Sequence, residues 1–170
     1  YGTLLGYGRE RDFVAGDDDF DTAYLSRATS AAEVRAELLD IVCTLIERGE
    51  DVRVFRGNLF HWHGPDGAVV DVFPSWIDGR DYFMTFAVGG PHAHVFAAGY
   101  EEVEFKGRSI LVPRDVEGAL EVIYGPGWRT PDPLFQWAVQ PEAQAAMKAV
   151  SLDDLELARS ASAPRRDALD

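Results

Sequence analysis

Cysteine is nearly absent: Cys43 is the only one in 170 residues. A single thiol excludes an intrachain disulfide and a cysteine-built metal site, and it fits a reducing compartment. Positive charge is also scarce. Sixteen Lys and Arg face 29 Asp and Glu, giving a formal net charge of −13. That deficit excludes broad binding to nucleic acid, which needs a basic surface against the phosphates. It does not exclude an anionic small substrate, because a bound metal inverts the local field. No apolar run approaches the length of a membrane span in this segment, and there is no signal peptide or internal repeat. The chain starts at Tyr1 without an initiator Met and reads as a fragment of a longer polypeptide. A cytoplasmic location is expected if the full-length chain carries no signal or anchor.

What is present is enough for a folded domain. The hydrophobic fraction is 46% and the aromatic fraction 12%, values of globular rather than disordered chains. Gly2 to Gly8 reads as a turn entering a short helix. Ser30 to Arg48 is the clearest helix. Ser30 and Glu33 have capping-box spacing, Val34, Leu38, Ile41, Val42, Leu45 and Ile46 recur at helical period, and Gly49 stops it. The period then changes to two. Val52, Val54 and Asn58 to Trp62 read as strand, GPDG at Gly64 to Gly67 as a hairpin turn, and AVVDVF at Ala68 to Phe73 as a strand that Pro74 ends. Tyr82 to Val88 reads as strand and GGPHAH as loop. Val103 to Phe105 can pair with Ser109 to Val112. Pro113 to Tyr124 reads as a helix with Pro in its first turn. Pro141 to Val150 and Leu152 to Arg159 read as helices, before a frayed tail. The sum is an α+β domain, a mixed sheet backed by helices, over residues 1–150, with a C-terminal helix and tail over 151–170.

The chemistry concentrates in GDDDFD, Gly16 to Asp21, where Asp17, Asp18, Asp19 and Asp21 crowd together. On a strand, alternate residues share a face, so Asp19 and Asp21 point one way and Phe20 packs behind. Two like charges so close resist ionising together, and a divalent cation relieves the conflict. Mg²⁺ takes oxygen ligands and combines one or two carboxylates with phosphates and water. Asp71 in VVDVF is a lone carboxylate in an apolar strand, costly without a partner. If that strand neighbours the acidic cluster, three carboxylates converge, an arrangement suited to displacement at phosphorus. Each feature also has a plain reading: a solvated acidic loop, a satisfied buried Asp, and Gly2-Thr3 as a helix cap. Their order, Gly-Thr before a short helix, Asp-x-Asp on a strand, then Asp on a later strand, is nucleotidyltransferase-like. There a glycine lets backbone approach a phosphate, and a threonine hydroxyl and helix N-terminus donate to it.

YGTLLGYGRERDFVAGDDDFD resembles the signature of the LicD/fukutin family: a Gly-Thr-Leu-Leu-Gly run, an Arg, and a hydrophobic-x-x-Asp-Asp-Asp-x-Asp block. Here these are Gly2 to Gly6, Arg9, Phe13 and Asp17 to Asp21. VDVFPSW and FKGRSILVPRDVEGALEVIYGPGW resemble later family segments, so the likeness spans nearly Tyr1 to Trp128. It implies a nucleotidyltransferase-like fold and Mg²⁺-dependent (or Mn²⁺-dependent) transfer of a phospho-alcohol from a CDP-linked donor to a glycan hydroxyl. Phosphocholine, ribitol phosphate and glycerol phosphate are candidate groups. The resemblance implies that Asp19, Asp21 and Asp71 hold the metal and serve catalysis, Asp71 as ligand or base. Gly2, Thr3 and Arg9 would bind the donor phosphates, and Asp17 and Asp18 would shape the loop or bind the acceptor. Two departures stand out: Gly16 where the family often has a bulky residue, and no strand leading into Gly2-Thr3. Two other readings stay open, a nucleotidyltransferase attacking the α-phosphate of a nucleoside triphosphate, and a non-catalytic ligand-binding or scaffolding module of a glycan-assembly protein.

His61 and His63 alternate, as do His92 and His94. If the pairs met they could hold zinc, though polar strand positions explain them too. Arg11, Lys106, Arg108, Arg114 and Arg129 are surface charges by default. Trp62, Trp76, Trp128 and Trp137 read as packing residues, with Tyr7 and Trp76 to watch because they lie close to the motifs.

Overall fold

The computed structural model describes residues 1–17, 20–55 and 58–153. Asp18 and Asp19, and the proposed helix and tail beyond residue 153, lie outside the described residues. In chain order the elements are α1 (Gly2–Glu10), β1 (Phe20–Leu25), α2 (Ala31–Glu47), β2 (Asp51–Phe55), β3 (Leu59–His63), β4 (Val69–Asp78), β5 (Asp81–Thr85), β6 (Val88–Gly90), α3 (Ala93–Phe96), β7 (Tyr100–Phe105), β8 (Arg108–Pro113), α4 (Val116–Tyr124) and α5 (Pro141–Val150). The architecture is mixed α+β. Strands β2-β3-β4-β5-β6 neighbour one another in antiparallel pairs, β1 joins β4 in parallel, and β7-β8 form a separate hairpin.

α2 forms where the periodicity places it. The Ser30 hydroxyl accepts the Glu33 N–H and donates to the Glu33 carboxylate, satisfying an N-terminal donor that the helix leaves open. Val34, Leu38 and Val42 are fully buried and Leu45 packs against the same core, whereas Ile46 is exposed, so the apolar stripe reaches the last turn and Ile46 lies off it. These three pack with Phe60, Trp76, Met147 and Val150, which puts α2 and α5 over one sheet face. Phe73, Tyr82 and Met84 turn the other way and pack with Val95, Phe96, Ala119 and Ile123 of α3 and α4. The period-two alternation of β4 and β5 therefore divides two cores.

Several boundaries differ from the sequence reading. Pro74 does not end its strand; β4 runs on to Asp78. It falls between the β3 ladder, which stops at Val72, and the β5 ladder, which starts at Trp76, so neither antiparallel ladder needs the N–H that proline lacks. Pro113 closes β8 instead of opening a helix, and Asp115 caps α4 by accepting the Gly118 N–H at 2.8 Å. Tyr82 to Val88 divides into β5 and β6, and GGPHAH contributes the end of β6 and the start of α3. Leu152 and Asp153 are not helical.

The glycines of the first motif have a packing reason. A Cβ at Gly6 would press on the Asp12 carbonyl oxygen and the Val14 nitrogen. Both are backbone atoms and cannot rotate away, so only glycine lets the 12–14 loop lie on α1. Gly6→Ala is expected to destabilise the fold by about 1–3 kcal/mol, the usual cost of overpacking. The check is a urea melt, where an unchanged midpoint would show that the loop yields freely.

Candidate functional site

β1 and β4 pair in parallel with Asp21 opposite Asp71. β3 lies along the other edge of β4 with His61 opposite Asp71, and β2 follows with Arg53 opposite His61. Residues in register share a sheet face. Asp21, Asp71, His61 and Arg53 thus form one polar row across four strands, on the face opposite α2. The next row toward α4 holds Phe55, Leu59, Phe73 and Ala23. His61 Nε2 lies 3.4 Å from Asp71 Oδ1, and Arg53 is engaged with Asp51 at 3.0 Å.

Asp21 sits at the start of α1. Its Oδ2 accepts the Gly2 N–H at 2.6 Å and lies 2.8 Å from the α-amino group of Tyr1. Thr3 is buried, and its Oγ1 accepts the Asp21 N–H at 3.1 Å; a hydroxyl that accepts there still has its own hydrogen to donate. Asp17 folds over the same helix end, since a Cβ at Gly2 would collide with its carboxylate. Gly2 is what allows that approach. The negative side chains gather where the helix dipole and its open N–H groups favour them.

The sequence-derived site residues therefore divide. Gly2, Thr3, Asp17, Asp21 and Asp71 come together. Asp18 and Asp19 lie outside the described residues. Arg9 takes another position: its guanidinium donates to the Trp128 carbonyl and, at 3.3 Å, to that of Thr130. It borders a cavity of about 410 Å³ with Leu5, Tyr124 and Trp128, and there it ties α1 to the segment after α4. Tyr7 and Trp76 are buried in the cores, so neither presents a ring to a ligand. Lys106 pairs with Asp12 at 2.7 Å and Arg129 with Glu117 at 2.6 Å, as surface charges do.

His61 is the residue that sequence reasoning left out of this row, and cross-strand register is the signal that finds it. His92 and His94 lie at the start of α3, away from the row. Burial lowers the His92 pKa, His94 adds to the effect and Asp81 opposes it. Among the described residues no group of three or more His, Cys, Asp or Glu is arranged to hold a metal ion. Two hard oxygen donors in register, with side chains 13% and 17% exposed, nonetheless suit a divalent cation in chemistry and charge. Around them the phenols stay protonated. Burial raises the pKa of Tyr124, with the charges of Asp21 and Asp17 adding to it, and burial also raises Tyr1.

Asp21 borders cavities of about 110, 260 and 560 Å³. The first runs toward Tyr82 and Ile123, the second toward Phe86 and Trp137, the third along β1 toward β8. No helix among the described residues is long and apolar enough to cross a membrane. No protein-family model matches the chain, and a search of curated proteins finds no significant match.

Proposed function

We propose that this domain transfers a phospho-alcohol from a CDP-linked donor to a glycan hydroxyl, on a nucleotidyltransferase-like fold of the LicD/fukutin kind. The observation that carries the reading is the register of Asp21 and Asp71 on adjacent strands at the N-terminus of α1. This is the convergence that the motif order calls for, and two neighbouring carboxylates left without a cation would repel each other.

Asp21 and Asp71, with Asp19 by resemblance, would hold Mg²⁺ or Mn²⁺, which supplies charge neutralisation at the transferring phosphoryl group. The chain's own groups do the rest. The N–H groups at the start of α1 and the Thr3 hydroxyl donate to phosphate oxygens. Asp71 accepts the proton of the acceptor hydroxyl, and His61 beside it fixes its orientation. Arg9 shapes the site by holding the segment around Trp128 and Thr130.

The test is product analysis with a panel of CDP-alcohols, an oligosaccharide acceptor and Mg²⁺. Release of CMP together with a glycan that carries the phospho-alcohol in phosphodiester linkage is expected. Release of pyrophosphate from a nucleoside triphosphate would replace this reading with nucleotidyl transfer, and no turnover with any donor would favour a binding module.

A further inference from the structure

Nine large apolar side chains are exposed among the described residues, and six of them gather in one place. Phe55, Phe86 and Trp137 line the cavity of about 260 Å³ beside Asp21. Phe86 and Val139 border the open groove next to it. Phe135 meets Trp137 edge-on at 5.4 Å, and Leu134 precedes it in the chain. Single exposed apolar residues need no explanation, but a contiguous apolar patch marks an interaction surface.

Four of the six stand on the segment between α4 and α5, which has no helix or strand and is exposed throughout residues 129–139. From Pro133 to Pro141 it carries no charged residue. Both its ends are pinned. Arg9 donates to the Trp128 and Thr130 carbonyls. Gln140 donates its backbone N–H to Phe86 at 3.0 Å and its side-chain amide to Ala87 at 2.9 Å. The loop between these pins is presented outward, with Leu134 84% and Val139 53% exposed.

An uncharged, outward loop of Leu, Phe, Trp and Val needs no shaped pocket to receive it. The charge of the chain decides between occupants. Against a formal −13, a second copy brings the same charge, and an anionic bilayer brings more of that sign. A zwitterionic bilayer has no net charge, and its interface suits each part of the loop. Apolar side chains enter the acyl boundary, the Trp ring takes the headgroup level, and the irregular backbone stays among polar groups that can bond it.

We propose that the loop over residues 133–139, with Phe55 and Phe86 beside it, docks the domain peripherally on an electrically neutral lipid surface. Docking turns the cavity beside Asp21 toward the bilayer. The contact needs neither metal nor donor, so it is tested apart from the transfer reading.

The experiment sediments the chain with phosphatidylcholine vesicles and records tryptophan emission alongside. Co-sedimentation with a blue-shifted emission is expected, and it should persist at high salt, where screening removes electrostatic attraction. Leu134→Ala should weaken the partition by roughly three- to tenfold, as for burial of part or all of a leucine side chain. Leu134→Glu combined with Val139→Glu should abolish it. Both positions are exposed, and thermal melts confirm that each variant is folded. No partition into the vesicles, partition lost at high salt, or a double variant that binds like the wild type would overturn the proposal. So would a dimer in light scattering that the double variant splits, which would assign the loop to a second copy. A failed vesicle test leaves metal-dependent transfer standing, and a failed transfer assay leaves the vesicle result standing.

Discussion

Asp71→Asn is expected to lose phosphoryl transfer by roughly 10²-fold or more, the scale of one lost electrostatic contact to a transition-state charge, while the protein melts at the same or a higher temperature. The two effects have one cause. Asp71 lies between Asp21 on β1 and His61 on β3, and its negative charge beside Asp21 is unfavourable in the resting fold. Asparagine has nearly the same shape and keeps an oxygen facing His61 Nε2, so it removes the repulsion without opening a void. What it cannot do is hold a divalent cation as a carboxylate does or take a proton from an acceptor hydroxyl. Sites that trade stability for function show this pattern. Asp21→Asn should lose activity similarly with less gain in stability, because its Oδ2 already accepts the Gly2 N–H at the start of α1. The check is initial transfer rate beside a melting curve for each variant. Full activity in Asp71→Asn would remove the carboxylate row from the mechanism.

Much of that row was legible in the residues. The Asp-x-Asp pattern and a lone Asp in VVDVF required a partner for each charge, and the strands that carry Asp21 and Asp71 do pair. The role of the Gly-Thr motif was legible in part. Thr3 and Gly2 do engage Asp21, but Gly6 turned out to serve the close packing of the 12–14 loop, which no local pattern encodes. The position of Arg9 was not legible either, because it depends on the 128–130 segment, more than a hundred residues away in sequence.

His61 shows how near the answer can lie. The turn after His63 sets His63 opposite Val69, and counting two residues away from the turn, back along β3 and forward along β4, puts His61 opposite Asp71. The residues of GPDG mark a turn but do not fix its length, and a slip of one residue would have moved His61 to the other face. Trp137 was unreadable for a different reason. It sits in a stretch without secondary structure between α4 and α5, where neither periodicity nor a cap gives a direction. Tryptophan in a folded domain is usually packed; Trp76 is fully so, and Trp137 packs on Tyr1, Tyr124 and Phe135 while staying 40% exposed.

That contrast predicts the largest stability effect in the molecule. Trp76→Ala is expected to destabilise the domain by about 3–5 kcal/mol, the usual cost of emptying a buried aromatic site. Trp76 is 1% exposed. It stacks on Phe83 with ring centroids 5.1 Å apart and fills the space between the sheet and the packed residues of α2 and α5. The neighbours that would have to close the void are anchored on three separate elements, so collapse is limited and the cavity term is large. Against a total stability of about 5–15 kcal/mol for a domain, the variant would lie close to unfolding in dilute buffer. Trp76→Phe keeps a ring against Phe83 and should lose much less. Trp137→Ala, at a residue 40% exposed, should move the urea midpoint far less than Trp76→Ala. The consequence reaches the site through the backbone: Trp76 is five residues along β4 from Asp71, on the opposite face, so the same strand that the core holds in register also presents the carboxylate. A Trp76→Ala variant that unfolds at the wild-type urea concentration would mean that α2 and α5 do not depend on this ring, and that the register of β4 is held from its β1 and β3 edges alone.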